Sequence, residues 1–288
     1  MVQPPRRLTP PWRDRQGQFS PLKLGVLLGL TLPALWIGWL ALQGGLGPRP
    51  IMEAIHQAGL WAVRILLLSL LVTPLRQMLR WPRLMLVRRM LGLGALAYAA
   101  LHLTLYALDQ QWDLLKVASE IVLRFYLTIG FVALLGLAAL GVTSTDGWVR
   151  RLGGRRWQGL HRTVYAIGVL ALVHFALQSK IDATEAMLMA GLFLWLMGYR
   201  ALAPKGGAPG LLRLIGLALG AALGTALLEA GWYAVGTGVP PLAVLEANLD
   251  VSFGLRPALW VGIAGGAALL LRAARLLRER LPAARPAH

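Results

Sequence analysis

Eight apolar runs divide this chain, and arginine and lysine crowd into every second gap between them. That alternation constrains the fold more than any single motif. A helix needs roughly 20 apolar residues to cross a hydrocarbon core of about 30 Å. Six runs are clear, at about Leu22–Leu42, Leu60–Val72, Met90–Leu108, Ile121–Val142, Leu160–Leu177 and Ala186–Leu202. Two more follow at about Leu211–Val235 and Pro257–Leu277. The second is short by its apolar residues alone and extends through 51–59. In lipid, backbone polar groups have no water to satisfy them, so such runs read as helices. The expected fold class is an all-α polytopic membrane protein.

Charge sets the expected direction. With the N-terminus inside, 23 of the 29 Lys and Arg residues fall on inward-facing segments: Arg6 to Lys23, Arg76 to Arg89, Arg150 to Arg162, Arg200 to Arg213, and Arg272 to Arg285. Only Arg49, Lys116, Arg124, Lys180 and Arg256 fall outside, with Arg64 left inside the second span. This asymmetry predicts both termini on the cytoplasmic side of a bacterial inner membrane. The first apolar run ends in Gly44-Gly45 without a small-residue cleavage site, so a retained first helix is expected. The net charge of +17 raises nucleic acid as a partner. The basic residues sit between apolar runs, however, and no recognition helix stands apart, so no nucleic-acid partner is expected.

The chain has no cysteine, which removes disulfides, thiolate nucleophiles and iron–sulfur clusters. Of its five histidines, His288 is terminal and His56 lies in an outer loop. His102, His161 and His174 fall within or at the ends of spans, where an ionisable side chain is a functional hypothesis by default. Counted from the inner ends of their helices, His102 lies roughly 18 Å and His174 roughly 21 Å along the axis. Two imidazoles at one depth on two helices suit the two axial faces of a heme iron. The competing reading is a hydrogen-bonded pair, or two histidines bonded to helix carbonyls.

His161 lies about 19.5 Å from His174 along the helix, and about 140° away around an ideal one. A tilt or a frayed helix start would have to absorb that angle. Arg88 lies about 40° off the His102 face, compatible with one cofactor wall, or is an ordinary positive-inside arginine. Zinc is disfavoured, because no Cys is present, the histidines are not at i,i+4 spacing and no HExxH occurs. Gly216, Gly220 and Gly224 form a stripe four residues apart, expected to let a neighbouring helix approach closely.

The segments TPLR (73–76), RRMLGL (88–93), LHLTLY (101–106) and GVTSTDGWVRRLGGRRWQGLHRTVY (141–165) carry a resemblance, with His174 nine residues on. They resemble the MsrQ family, formerly YedZ, of heme-binding membrane subunits in the ferric-reductase-like transmembrane domain group. The resemblance covers about residues 20–202. It implies a six-helix ferric-reductase-like heme bundle over 22–202, behind a cytoplasmic segment 1–21. Residues 203–288, with two additional C-terminal transmembrane helices, exceed the shorter family members. The family's heme histidines match His102, His161 and His174, and its arginine before the third helix matches Arg88. One departure is Phe125, where the family usually has proline.

The resemblance further implies b-type heme, one or two per chain, and FMN. Electrons would come from a cytoplasmic flavin reductase or quinol. They would leave to MsrP, a periplasmic molybdopterin protein that reduces methionine sulfoxide in oxidised envelope proteins. No catalytic residue is expected in the chain itself. The alternatives are a cytochrome b561-like or ferric-reductase-like carrier serving another acceptor, and a non-redox transporter or structural component.

Overall fold

A computed structural model of the chain describes residues 10–280 apart from 14, 15, 181 and 253. The expected cytoplasmic segment up to residue 9, and the tail from 281 with Arg285 and His288, lie outside the described residues. Among the described residues the regular structure is helical, save one isolated bridge between Arg13 and Phe19. Helix α1 (Pro21–Leu42) is started by the Ser20 side chain, which accepts from the Lys23 amide, with proline at the first helical position. Helix α2 (Pro50–Leu79) stops where Arg80 turns left-handed at φ 52°. A single 3₁₀ turn at Pro82–Leu84 leads into α3 (Met85–Asp109). There follow α4 (Leu114–Leu123), α5 (Phe125–Val142), α6 (Asp146–Leu152), α7 (Gly154–Arg162), α8 (Val164–Gln178), α9 (Thr184–Leu202), α10 (Leu211–Thr237), α11 (Pro241–Ala247) and α12 (Pro257–Arg280).

Eight of these segments are long and apolar enough to cross a membrane, so the chain is an all-α polytopic membrane protein. Three spans differ from their sequence outlines. The second runs on through Thr73-Pro74 to Leu79, 30 residues in all. Neighbouring helices bury Pro74, and a bundle tolerates the hydrogen bond that proline removes. The fourth is broken at Arg124, which is extended at φ −106° and ψ 104°. The residues before it form the separate α4, whose Leu115, Val122 and Leu123 are exposed. Thr128 Oγ1 bridges the break by donating to the Ile121 carbonyl at 2.6 Å. The fifth is broken at Thr163, between α7 and α8.

Helix α2 is the most enclosed span and packs on two sides. Its Ile65, Leu66 and Val72 meet Val87, Leu91, Ala95 and Tyr98 of α3 and Ala133, Leu137 and Leu140 of α5. Its Val63, Leu67 and Leu70 meet α9, α10 and α12 through Phe193, Leu196, Tyr199, Leu217 and Val261. Arg64, the cation left in the second span, is paired with Glu185 at the start of α9 at 3.1 Å.

The C-terminal pair packs through small residues, and of the expected stripe only Gly224 takes part. An added Cβ would meet nothing at Gly216 or Gly220, and only Leu194 at Gly224. The contact face of α10 is instead Leu214, Leu217, Ala218, Ala221 and Thr225. The spacing was right for a helix face, but the neighbours pack on a different face of α10. Glu229 of the same helix is fully buried, accepting from Arg256 at 2.9 Å and from Asn248 at 2.8 Å. A carboxylate at such depth must be paired and hydrogen-bonded. These contacts tie α10, α11 and the start of α12 together.

Candidate functional site

His102 on α3 and His174 on α8 face each other between their helices. Their ring centroids are 6.2 Å apart, and the ring planes cross at 84°. His102 Nδ1 lies 2.8 Å from the Ile55 carbonyl of α2, and His174 Nδ1 lies 2.7 Å from the Tyr126 carbonyl of α5. A carbonyl can only accept, so each Nδ1 carries the proton and donates. That leaves Nε2 as the lone-pair nitrogen of each ring. Two such nitrogens cannot hydrogen-bond to each other, which removes the mutual pair as a description. The carbonyl-bonded reading is correct for Nδ1 and leaves Nε2 to be explained.

The spacing has a simple test. With metal–imidazole bonds of about 2 Å and ring centroids roughly 1.15 Å beyond the nitrogens, two rings on opposite faces of one iron lie about 6.3 Å apart, centroid to centroid. The observed 6.2 Å fits a single iron between them. An axial imidazole held by a carbonyl through its other nitrogen is also the usual second-shell arrangement of a metal-bound histidine.

His161 is placed elsewhere. It lies near the end of α7, two residues before Thr163, the single right-handed residue that joins α7 to α8. Its ring stacks on Trp157 at 4.0 Å between centroids, and its Nε2 lies 3.3 Å from Thr143 Oγ1. Trp157 is itself fixed by donating from Nε1 to the Thr143 carbonyl at 2.8 Å. No second histidine faces it, and no group of three His, Cys, Asp or Glu residues is close enough to hold a metal among the described residues. Arg88 and Arg89 are near enough to act on the His161 ring electrostatically. Arg88 and His161 are thus brought to one region of the Arg-rich end, while Arg89 is held by Asp146 at 2.8 Å.

Arg88 also feels the charges of Arg76 and Arg200. Arg200 of α9 donates to the carbonyls of Leu70 at 2.6 Å and Leu196 at 2.7 Å, and lies over the Tyr165 ring at 5.4 Å. Arg76 Nε, and Nε and Nη1 of Arg272, are buried without a hydrogen-bond partner. Sequence reasoning counted Arg200 and Arg272 only as orientation signals. Their depth within spans was the available clue to more. The Ile55 and Tyr126 carbonyls were not foreseeable, because a backbone acceptor leaves no mark in the side-chain sequence.

A family model for the ferric reductase like transmembrane component matches residues 58–172, a stretch that contains His102, His161 and Arg88 and ends two residues before His174. The chain is 46% identical over 169 residues to a protein of Xanthomonas campestris pv. campestris (strain 8004), covering 57% of this chain and 77% of that one. It is 42% identical over 189 residues to one of Rhodospirillum rubrum, covering 65% and 88%. A third, from Xanthomonas oryzae pv. oryzae, is 44% identical over 167 residues, covering 58% and 76%. All three are named as the protein-methionine-sulfoxide reductase heme-binding subunit MsrQ. No solved structure matches the chain.

Proposed function

As this chain belongs to the MsrQ family of heme-binding membrane subunits, we propose that it is a b-type cytochrome of the bacterial inner membrane. It passes electrons from a cytoplasmic flavin reductase or quinol to the periplasmic methionine sulfoxide reductase MsrP. The observation that carries this reading is the His102–His174 pair, spaced for one iron with both Nε2 atoms unprotonated. When bound, the heme supplies a reversible one-electron couple, which no side chain of this protein offers.

The chain's own residues do the rest. His102 and His174 would hold the heme iron, and the Ile55 carbonyl of α2 and the Tyr126 carbonyl of α5 keep their rings in the tautomer that can ligate. Tyr98, Ala95 and Leu91 of α3 with Ala133 and Leu137 of α5 keep the bundle interior dry. Such an apolar interior has a low dielectric, in which charges interact more strongly than in water.

At the Arg-rich end, Arg88, His161 and Trp157 form the inner station of the path, holding FMN or a second heme. The arginines at 76, 88 and 200 favour an anionic group such as a flavin phosphate. Arg155 and Arg156 are exposed and extend the basic surface toward an incoming donor. The positive-inside asymmetry supports placing that end, and both termini, in the cytoplasm. Residues 22–202 form the heme-binding unit, and α10 and α12 of the C-terminal extension pack against it on α2 and α9.

A reduced-minus-oxidised spectrum of the purified chain, with flavin released and assayed in parallel, tests the reading. A b-type α-band is expected. Its absence removes electron transfer and leaves a transporter or structural role.

A further inference from the structure

The two histidines are held by the same three-part device. The helix beside each presents a carbonyl and, four residues later, a glycine: Ile55 and Gly59 on α2 for His102, Tyr126 and Gly130 on α5 for His174. In an α-helix the carbonyl of one residue points at the amide four positions on. Because Cα–Cβ bonds tilt toward the helix N-terminus, the side chain four positions on leans back over that same oxygen.

Glycine removes this cover. The carbonyl keeps its helical bond with one lone pair and offers the second to the imidazole. The space is used closely in both places. A Cβ at Gly59 would lie 2.9 Å from His102 Nδ1 and 3.1 Å from its Cε1. At Gly130 it would lie 2.7 Å from His174 Nδ1 and 2.8 Å from its Cε1. Either ring would have to leave its place. Glycine is a poor helix former, yet it stands at the matching position of two separate helix pairs.

We propose that Gly59 and Gly130 are positioning residues for the two axial imidazoles. They bare the Ile55 and Tyr126 carbonyls, lock both rings as Nδ1–H tautomers, and set their planes across one another. This rests on His102 and His174 being the heme ligands. It also reaches the electron-transfer property itself. A ring that donates from Nδ1 is a more basic ligand, which favours ferric iron and lowers the midpoint potential.

The test compares Gly59→Ala and Gly130→Ala with Gly92→Ala, a glycine of α3 at which an added Cβ meets nothing within 4 Å. Each full-length protein is purified, titrated for midpoint potential and examined by electron paramagnetic resonance. In the first two, the largest low-spin g value should fall as the planes rotate, and the midpoint should move upward. Gly92→Ala should leave both as in the parent. Unchanged g values and potentials in Gly59→Ala and Gly130→Ala would overturn the proposal.

If those variants accumulate without heme, His102→Gly supplies a second arm. Imidazole keeps an N–H for the Ile55 carbonyl and should restore the low-spin spectrum at lower concentration than 1-methylimidazole, which has none. An equal effect of the two also overturns the proposal. Failure of the ligand assignment itself looks different, because His102→Ala and His174→Ala would then keep the parent's low-spin spectrum.

Discussion

His102 and His174 meet with their planes crossed at 84° rather than parallel. If both ligate one iron, that angle has an electronic consequence. Perpendicular imidazoles interact equally with the two iron d-orbitals of π symmetry about the axial bonds, so those orbitals stay nearly degenerate. The ferric protein is then expected to give a highly anisotropic low-spin resonance, with its largest g value well above that of a parallel pair. A rhombic spectrum of the parallel type would refute the crossed geometry.

The histidine variants separate the two ends of the path. His102→Ala and His174→Ala each remove one proposed axial bond and open a cavity, so a five-coordinate high-spin heme or none is expected. His161→Ala should leave the outer low-spin signal intact and instead disturb flavin or a second heme, since its ring stacks on Trp157 and not on the pair. Heme content and spin state of the three proteins decide it. A full low-spin spectrum in His102→Ala would make His102 a structural residue.

Reporter fusions check orientation. Those at Gln43, Gln111 and Ser179 should read periplasmic, and those at Gly154 and Gly207 cytoplasmic. A periplasmic reading at Gly154 would reverse the electron path.

Charge reversal at Arg155 and Arg156 together should weaken flavin retention at low salt, with a smaller difference at high salt, because exposed charges are screened over about 10 Å at 0.1 M. Flavin stoichiometry equal to the parent at low salt would leave these residues as orientation signals only.

Glu229→Ala should destabilise the C-terminal pair by about 1–3 kcal/mol, because it strands Arg256 and Asn248 beside a buried space. Thermal unfolding in detergent would show it as a lower transition. The outer heme signal should persist, since α10 carries none of the proposed ligands. Loss of that signal would mean that the C-terminal pair supports the heme site itself.

What the sequence determined by itself follows from the solvent it must fold in. Lipid demands long apolar helices, so the eight spans could be counted from run length, and the positive-inside bias gives them an expected direction. The regular rise of a helix then placed His102 and His174 at one depth. Rise and run length are properties of one helix, and no tertiary contact is needed to state them. What only the tertiary structure decided are relations between helices. The breaks at Arg124 and Thr163 come from packing and local bonding, such as Thr128 reaching back to Ile121. The contact face of α10 fell beside Gly216 and Gly220 rather than on them. The carbonyls of Ile55 and Tyr126, and the glycines that uncover them, gain meaning only when α3 and α8 bring an imidazole against each. Every residue has a carbonyl, so the chain alone cannot say which of them will meet a ring.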